Sequence, residues 1–314
     1  MASITAARTK PRPFLKWAGG KTQLLPVIDS FLPVSFRQES DVTYIEPFVG
    51  GGAMLFFMMQ KYPNIRRAVV NDINPRLINT YRVVRDNPIA LVEALHEIQS
   101  VYRALGDDYE AQKQYYLNVR SLFNAGSLPD VQEAAYMVFI NRTCFNGLYR
   151  ENSKGGFNVP FGRYANPTIC DAELILADSE LLQRVEILQG DFSGTAGYVK
   201  GYTFVYFDPP YRPLDATSSF NSYVKEAFDD SEQQRLRDYF ARLSAEGCME
   251  MLSNSDGCGR NAEDSFFDDL YRGYAIERVH AKRSINANPS KRGVLTELLI
   301  MNYTRYQGNE ESLF

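Results

Sequence analysis

Asp208, Pro209, Pro210 and Tyr211 follow one another directly behind the run Phe204 to Phe207. The run is β-branched and aromatic, which reads as a buried strand. Two prolines cannot continue a sheet ladder, and each fixes its own φ, so the chain leaves the strand stiffly. A carboxylate is thereby held at the carboxyl end of a strand, where open α/β sheets place their ligands. A second candidate lies upstream. Val42 to Gln60 reads as a strand turning through Gly50, Gly51 and Gly52 into an apolar helix, an order that lets a cofactor approach the backbone beside a helix amino terminus. Asp72 follows Gly52 by twenty residues, at the end of another β-branched run. That is the spacing at which nucleotide-binding folds put the acid for ribose hydroxyls, so the pair predicts an adenosine-containing cofactor. Asp191, behind the strand-like run from Val185, is a further candidate contact.

Two basic stretches add a different chemistry. Asn141 to Tyr164 mixes Arg142, Arg150, Lys154 and Arg163 with Phe145, Tyr149, Phe157, Phe161 and Tyr164, and its one acid is Glu151. Positive charge for phosphates, aromatics for stacking and Asn or Arg for base edges are the tools of nucleic-acid recognition. Asn-Gly and Gly-Gly turns predict a hairpin or long loop there. Arg278 to Arg292 carries five Lys or Arg residues, one His and no acid. In a chain of net charge −4, such concentration points to a directional surface facing a phosphate backbone.

The elements that must position these residues alternate in type. Strands are predicted at Val42, before Asp72, at Val185 to Phe192, through Phe207, at Met249 to Asn254 and at Glu297 to Tyr303. Between Asn74 and about Ile140 the pattern turns helical: Val92, Leu95, Ile98, Tyr102 and Leu105 recur at three- and four-residue spacing, as do Val131, Ala134, Ala135, Val138 and Phe139. Phe14 to Lys21, FLKWAGGK, holds the only Trp between Lys16 and Lys21 and leads into a helix expected at Thr22 to Phe31. Its Gly-Gly-Lys lacks the spacing of a Walker A loop. Asp215 to Tyr223 is polar enough to serve as a lid, and Ser231 to Leu243 reads as an amphipathic helix.

Length and composition are those of a globular protein with a substantial core. Cys144, Cys170, Cys248 and Cys258 show no CxxC spacing, and His96 and His280 are the only histidines. No metal site or disulfide framework is expected. The amino terminus lacks an apolar signal region, and the longest apolar run, Ala53 to Met59, is too short to span a membrane. A cytoplasmic protein, and a monomer, is the expectation.

FLKWAGGK, EPFVGGGA, NDIN, NRTCFNGLYR, FNVPFGRY, DPPY and KRSI, the last standing where the family carries RRSI, occur in the order found in DNA adenine methylases of the Dam type. From Phe14 to about Tyr303 the sequence resembles that family. The resemblance implies an α/β fold: a Rossmann-like S-adenosylmethionine-dependent methyltransferase sheet, at 1–73 and 171–314, with an inserted, mainly helical target-recognition domain at 74–170 carrying a β-hairpin. It implies methyl transfer from S-adenosylmethionine to the N6 amine of adenine in double-stranded DNA, with GATC as the favoured site. The cofactor set is Trp17, Lys21, Glu46, Phe48, Gly50, Gly52, Asp72, Asp191 and Asp208. The DNA set is Arg142, Phe145, Asn146, Leu148, Arg150, Asn158, Pro160, Arg163 and Tyr164, with Lys282, Arg283, Asn288 and Arg292 from the second basic stretch. The family pattern has Tyr at position 145, so Phe145 keeps a stacking face without a hydroxyl.

The chemistry agrees with that reading. The adenine amine is a poor nucleophile because its lone pair is delocalised into the ring. Asp208 and the Pro209 carbonyl can accept the two amine hydrogens while Tyr211 stacks on an extruded base. Attack on cytosine C5 would need a cysteine nucleophile behind a proline, and none of the four cysteines follows one. Two other readings stay open on these residues: a methyltransferase for cytosine N4 or RNA, and a DNA-binding protein with a vestigial methyltransferase core.

Overall fold

The computed structural model describes residues 9–212, 228–257, 263–281 and 295–304. In chain order these form α1 (Leu25–Ser30), α2 (Val34–Gln38), β1 (Val42–Glu46), α3 (Ala53–Lys61), β2 (Ile65–Asp72), α4 (Pro75–Asp86), α5 (Pro88–Ala104), α6 (Tyr109–Ala125), α7 (Asp130–Thr143), α8 (Ala172–Leu182), β3 (Val185–Gln189), β4 (Tyr202–Phe207), α9 (Asp230–Ala245), β5 (Met249–Ser255), α10 (Phe266–Leu270), β6 (Ala275–Ala281) and β7 (Leu295–Met301). The strands make one sheet in the order β3-β2-β1-β4-β5-β7-β6. β3 through β5 run parallel, whereas β7 is antiparallel to both β5 and β6. The chain order reverses between β1 and β4, and a reversal of this kind opens a crevice beyond the strands' carboxyl ends.

Alternation along each strand feeds two apolar layers. Tyr44, Ala68, Val70, Phe204 and Tyr206 point to the layer shared with α3 to α8. Ile45, Val69, Val205 and Phe207 point to the other, with Leu236, Tyr239 and Phe240 of α9 and Phe267 of α10. Both faces of these strands are covered, so β1 is buried at every position and β4 at all but its first. The periodic helices predicted after Asn74 are α4 to α7. Their buried residues, among them Leu91, Leu95, Tyr102, Ala135 and Phe139, belong to the same continuous cluster as Tyr44 and Phe204. α4 touches β2 and β3 as well as α7.

Capping places several of these helices. Asn74 accepts from the N–H groups of Arg76 and Leu77, with Pro75 opening α4. Asp229 accepts from Ser231 and Glu232 at the start of α9. The helix expected from Thr22 begins later, at Leu25: the Lys21 carbonyl accepts the N–H groups of Leu24 and Leu25, spending Thr22 to Leu24 on a turn. The expected hairpin in 141–164 contains two isolated antiparallel bridges, Cys144 to Phe161 and Glu151 to Phe157, and no regular strand. Left-handed residues Asn146, Gly147 and Gly155 interrupt the extended backbone that a ladder requires. The lid expected at 215–223 lies outside the described residues.

Candidate functional site

The ends of β1, β2 and β4 open onto a cavity of about 1100 Å³. Its lining includes Trp17, Lys21, Glu46, Phe48, Gly50, Gly52, Asp72, Asp191, Asp208 and Pro209 to Tyr211, so the structure brings every residue of the expected cofactor and catalytic sets to one place. The turn between β1 and α3 is pinned from β2. Val49 N–H donates to the Asn71 carbonyl at 2.9 Å, and Gly50 N–H donates to the Asp72 carboxylate at 3.1 Å. Asn71 Nδ2 donates to the carbonyls of Pro47 and Gly190, each at 3.0 Å, tying three strand ends together. Burial pushes the Asp72 carboxyl up, opposed by the N–H groups of Asn74 and Gly50.

The glycines of this turn make room for protein as well as for ligand. A Cβ on Gly51 would lie 2.7 Å from the Trp17 Cβ. Gly52 has a φ of 76°, and a Cβ there would collide with the Tyr81 hydroxyl, which donates to the Gly50 carbonyl at 3.1 Å. Trp17 is thus packed on the turn, and its indole stacks on Tyr149 with ring centres 5.2 Å apart.

At the end of β4, Asp208 Oδ1 accepts from Ser253 Oγ at 3.1 Å and lies 2.9 Å from Lys21 Nζ. Burial raises the Asp208 carboxyl, and the Lys21 ammonium opposes that rise. Lys21 is 5% exposed and also faces Glu297 at 3.7 Å. Its ammonium sits 4.4 Å from the centre of the Tyr211 ring, whose hydroxyl donates to Glu297 at 2.7 Å. Gln233, fully buried on α9, donates to the Pro210 carbonyl at 3.2 Å and steadies the Pro-Pro corner. Glu46, at the end of β1, accepts from Tyr44. Burial pushes its carboxyl up to about 8, the Tyr44 hydrogen bond opposes this, and the Asp208 charge adds to it.

The far side of the cavity is aromatic. Phe48 packs on Phe192 and Phe228 with ring centres 5.3 Å and 5.8 Å away. Asp191 is engaged by Arg235 through two hydrogen bonds of 3.0 and 2.7 Å. Those bonds, helped by Ser193, hold its carboxyl down at about 2. Its oxygens are therefore partnered from within the chain.

The loop 141–164 sorts its residues differently from the sequence expectation. Phe145 is 52% exposed, and Asn146, Pro160 and Arg163 are exposed beside it. Tyr149 and Phe157 are buried at 1% and 2%, so they serve the core rather than stacking on a ligand. Leu148 is half-buried against the same core. Arg142 turns inward: one guanidinium nitrogen donates to the Phe14 carbonyl at 2.8 Å, and its Nε is buried with no hydrogen-bond partner. It is not presented on the loop's outer face, because the last turn of α7 points it beneath Phe14. Arg150 Nε donates to Asn158 Oδ1 at 2.7 Å, so these two act as a pair. Arg163 lies 4.8 Å from the Tyr109 ring centre, and Lys16 lies 4.6 Å from that of Tyr164.

One residue absent from the expected set, Asn141, holds the loop to the segment beside the cavity. Asn141 accepts from the Lys16 N–H at 2.9 Å and donates to the carbonyls of Lys16 at 2.8 Å and Gly147 at 3.2 Å. Asn146, at φ 56°, reaches the cavity lining. In the second basic stretch Arg278 is bound to Asp256 at 3.3 Å and to Asp268 at 2.7 Å, which removes it from a free basic surface. Lys282, Arg283, Asn288 and Arg292 lie outside the described residues. Among the described residues no group of three or more His, Cys, Asp or Glu could hold a metal ion, and no helix is long and apolar enough to cross a membrane.

Residues 17–285 match the family of D12 class N6 adenine-specific DNA methyltransferases. The chain belongs to that family. It is 46% identical to the type II methyltransferase M.MjaIII of Methanocaldococcus jannaschii, over 93% of this chain and 99% of that one. It is 42% identical to the type II methyltransferase M1.LlaDCHI of Lactococcus lactis subsp. cremoris, over 93% and 95%. A DNA adenine methylase of Vibrio cholerae is 33% identical over 93% of this chain and 96% of its own. The adenine-specific DNA methyltransferase activity of the family accounts for a strand-end cavity with an acid beside a Pro-Pro-Tyr corner.

Proposed function

We propose that the protein transfers a methyl group from S-adenosylmethionine to the N6 amine of an adenine flipped out of duplex DNA, with GATC as its target sequence. The observation that carries this reading is Asp208 at the mouth of β4, continuous through a rigid Pro-Pro corner with Tyr211 and open to the same cavity as Asp72 and Glu46. The cavity fits the donor. Ile73, 46% exposed, offers an apolar surface for a base, and Asp72 an acceptor for ribose hydroxyls. Lys21 supplies a positive charge for the carboxylate of an amino-acid moiety, and Glu46 a buried carboxyl that ionises when the moiety's ammonium approaches it. When bound, S-adenosylmethionine supplies an electrophilic methyl on a sulfonium.

The chain's own residues prepare the nucleophile. Asp208 and the Pro209 carbonyl accept the amine hydrogens and localise the nitrogen lone pair, and the fixed corner needs no rearrangement at the moment of transfer. Tyr211 stacks on the extruded base. Lys21 occupies Asp208 Oδ1 in this structure, so substrate entry displaces its ammonium from that oxygen. We place the transfer step in 1–73 and 171–314, and DNA reading in 74–170. There Phe145 wedges into the duplex, and Asn146, Leu148, Arg150, Asn158, Pro160 and Tyr164 read and distort the target, supported by Arg163 and by Lys282, Arg283, Asn288 and Arg292. GATC rests on the likeness of these reading positions to the Dam pattern. Acting on DNA, the protein would work in the cytoplasm.

Expression in a host without adenine methylation, followed by single-base mapping of N6-methyladenine, tests the reading. GATC should be methylated throughout, and Asp208→Ala should lower transfer by at least about 100-fold, the scale of losing one preorganised polar group at a reacting atom, while DNA binding survives. Full activity in Asp208→Ala would remove the assigned role, and methylation at another sequence would replace GATC.

A further inference from the structure

Glu297 is an acid in an otherwise largely apolar strand, LTELLIM. β7 runs antiparallel beside β5, pairing Glu297 with Ser255, and this register carries the Glu297 side chain to the edge of the catalytic corner. Two groups converge on it. The Tyr211 hydroxyl donates to Oε2 at 2.7 Å, and the Lys21 ammonium lies 3.7 Å from the same oxygen. Lys21 is also 2.9 Å from Asp208 and over the Tyr211 ring. One buried ammonium is therefore shared between two carboxylates, and one of those carboxylates also fixes the aromatic ring of the Pro-Pro-Tyr corner.

We propose that Glu297 is a positioning residue for methyl transfer, anchoring Tyr211 by its hydroxyl and receiving Lys21 when the adenine amine takes over Asp208. The inference rests on the catalytic reading of Asp208 and Tyr211 given above. Two physical reasons support it. A tyrosine behind two prolines has a fixed backbone but a free χ1, and a hydrogen bond to a carboxylate removes that freedom at the ring's far end. Equally, a buried ammonium cannot leave Asp208 without a second counter-charge, since an unpaired charge in a poorly solvated site is costly. Glu297 is within reach without any backbone movement. It touches no reacting atom in this arrangement, and its effect passes through Tyr211 and Lys21.

The test uses the whole protein, S-adenosylmethionine and a duplex carrying the methylated site with 2-aminopurine at the target adenine. Base extrusion is read by fluorescence, and the rate by single-turnover methylation of the normal duplex. Glu297→Ala should slow single-turnover transfer by about tenfold or more, the scale of a hydrogen bond to a charged group, and weaken the extrusion signal. Glu297→Gln keeps an acceptor for Tyr211 but no charge for Lys21. It should restore the extrusion signal to within about twofold of the parent while the rate stays depressed. Tyr211→Phe removes the same hydrogen bond from the other side, so the Tyr211→Phe, Glu297→Ala double variant should be no slower than Glu297→Ala alone. Multiplied losses in the double variant would overturn the proposal, as would identical behaviour of the Ala and Gln variants in both readouts. These outcomes are separate from failure of the catalytic reading, which would appear as retained activity in Asp208→Ala.

Discussion

The cavity at the strand ends and the loop 141–164, which the proposed reaction uses together, are built on different supports. In the cavity the carboxylates hang from strand ends: Glu46 ends β1, Asp72 ends β2, and Asp208 follows β4. Backbone N–H groups and Asn71 fix the connecting turn. In the loop the backbone has two isolated bridges and scattered turn and cross-chain hydrogen bonds, such as Phe145 N–H to the Pro160 carbonyl, and is also held from outside. Asn124 donates to the Phe157 carbonyl at 2.9 Å, and Tyr116 donates to the Val159 carbonyl at 2.7 Å. A site hung on strands is preorganised by the whole core. A loop without a continuous ladder can adjust its exposed face to a groove at the cost of fewer contacts than a strand end. Among the contacts that join the two regions is a stack, Trp17 on Tyr149, with Trp17 pressed in turn on the glycine turn.

Breaking that stack should have the largest effect. Tyr149 is 1% exposed and also packs on Phe157 at 5.6 Å between ring centres. Tyr149→Ala should destabilise the fold by about 3 to 5 kcal/mol, the range for losing a buried aromatic. If the stack joins the two regions, affinity for S-adenosylmethionine measured without DNA should fall as well, because Trp17 loses its support beside Gly50 and Gly51. Chemical denaturation gives the first number and calorimetric titration the second. Unchanged cofactor affinity in the folded variant would mean that this stack does not couple the two regions.

A middle-sized effect should come from the loop's outer face. Arg150 is oriented by Asn158, and a guanidinium so aligned is suited to a bidentate base contact. Arg150→Ala should cost about 1 to 3 kcal/mol of discrimination at one base pair while leaving methyl transfer chemistry in place. Rates on all single-base variants of the target decide it. A uniform loss at every sequence would make Arg150 a phosphate contact and leave reading to other residues.

The contrast also explains what could be read in advance. Strand ends announce themselves: β-branched runs stop at Asp72 or at Pro209, and consecutive glycines mark the turn after Glu46. Local chemistry sets those positions, so the cavity's residues were legible. The facing of a loop side chain is set by distant partners instead. Tyr149 and Phe145 look alike in sequence, yet one is buried under Trp17 and the other exposed. Arg142 reads as a basic surface residue, and only the geometry of α7 turns it under Phe14. That Asp191, a candidate contact, is partnered from within the chain could not be read locally, because Arg235 lies 44 positions away. The structural role of Asn141 gave no local signal, whereas Glu297 did: a lone acid in an apolar strand is costly to bury and calls for a partner.

The smallest expected effect sharpens the cavity's side of the comparison. Glu46 is 2% exposed, and its carboxyl is raised from 4.5 to about 8 by burial, an effect that Tyr44 opposes and Asp208 reinforces. Between those two values the folded protein holds a proton on Glu46 that the unfolded chain has released. Stability therefore falls as pH rises through this window, and the loss stops growing above about 8, where the folded form also ionises. Glu46→Gln replaces the acid by a neutral group that can still accept from Tyr44. Compared with the parent at each pH, the variant should be nearly neutral at pH near 5 and gain at least about 1 kcal/mol by pH near 9, each unit of that window being worth ~1.4 kcal/mol. Asp178 and Glu250, raised to about 8 and about 9 by burial, remain in both proteins and cancel from the difference. Denaturation curves across that range measure the gain. A variant destabilised equally at every pH would show that Glu46 is ionised in the folded state and that its value lies in the charge itself, leaving the cavity electrostatically prepared for a cation before any ligand arrives.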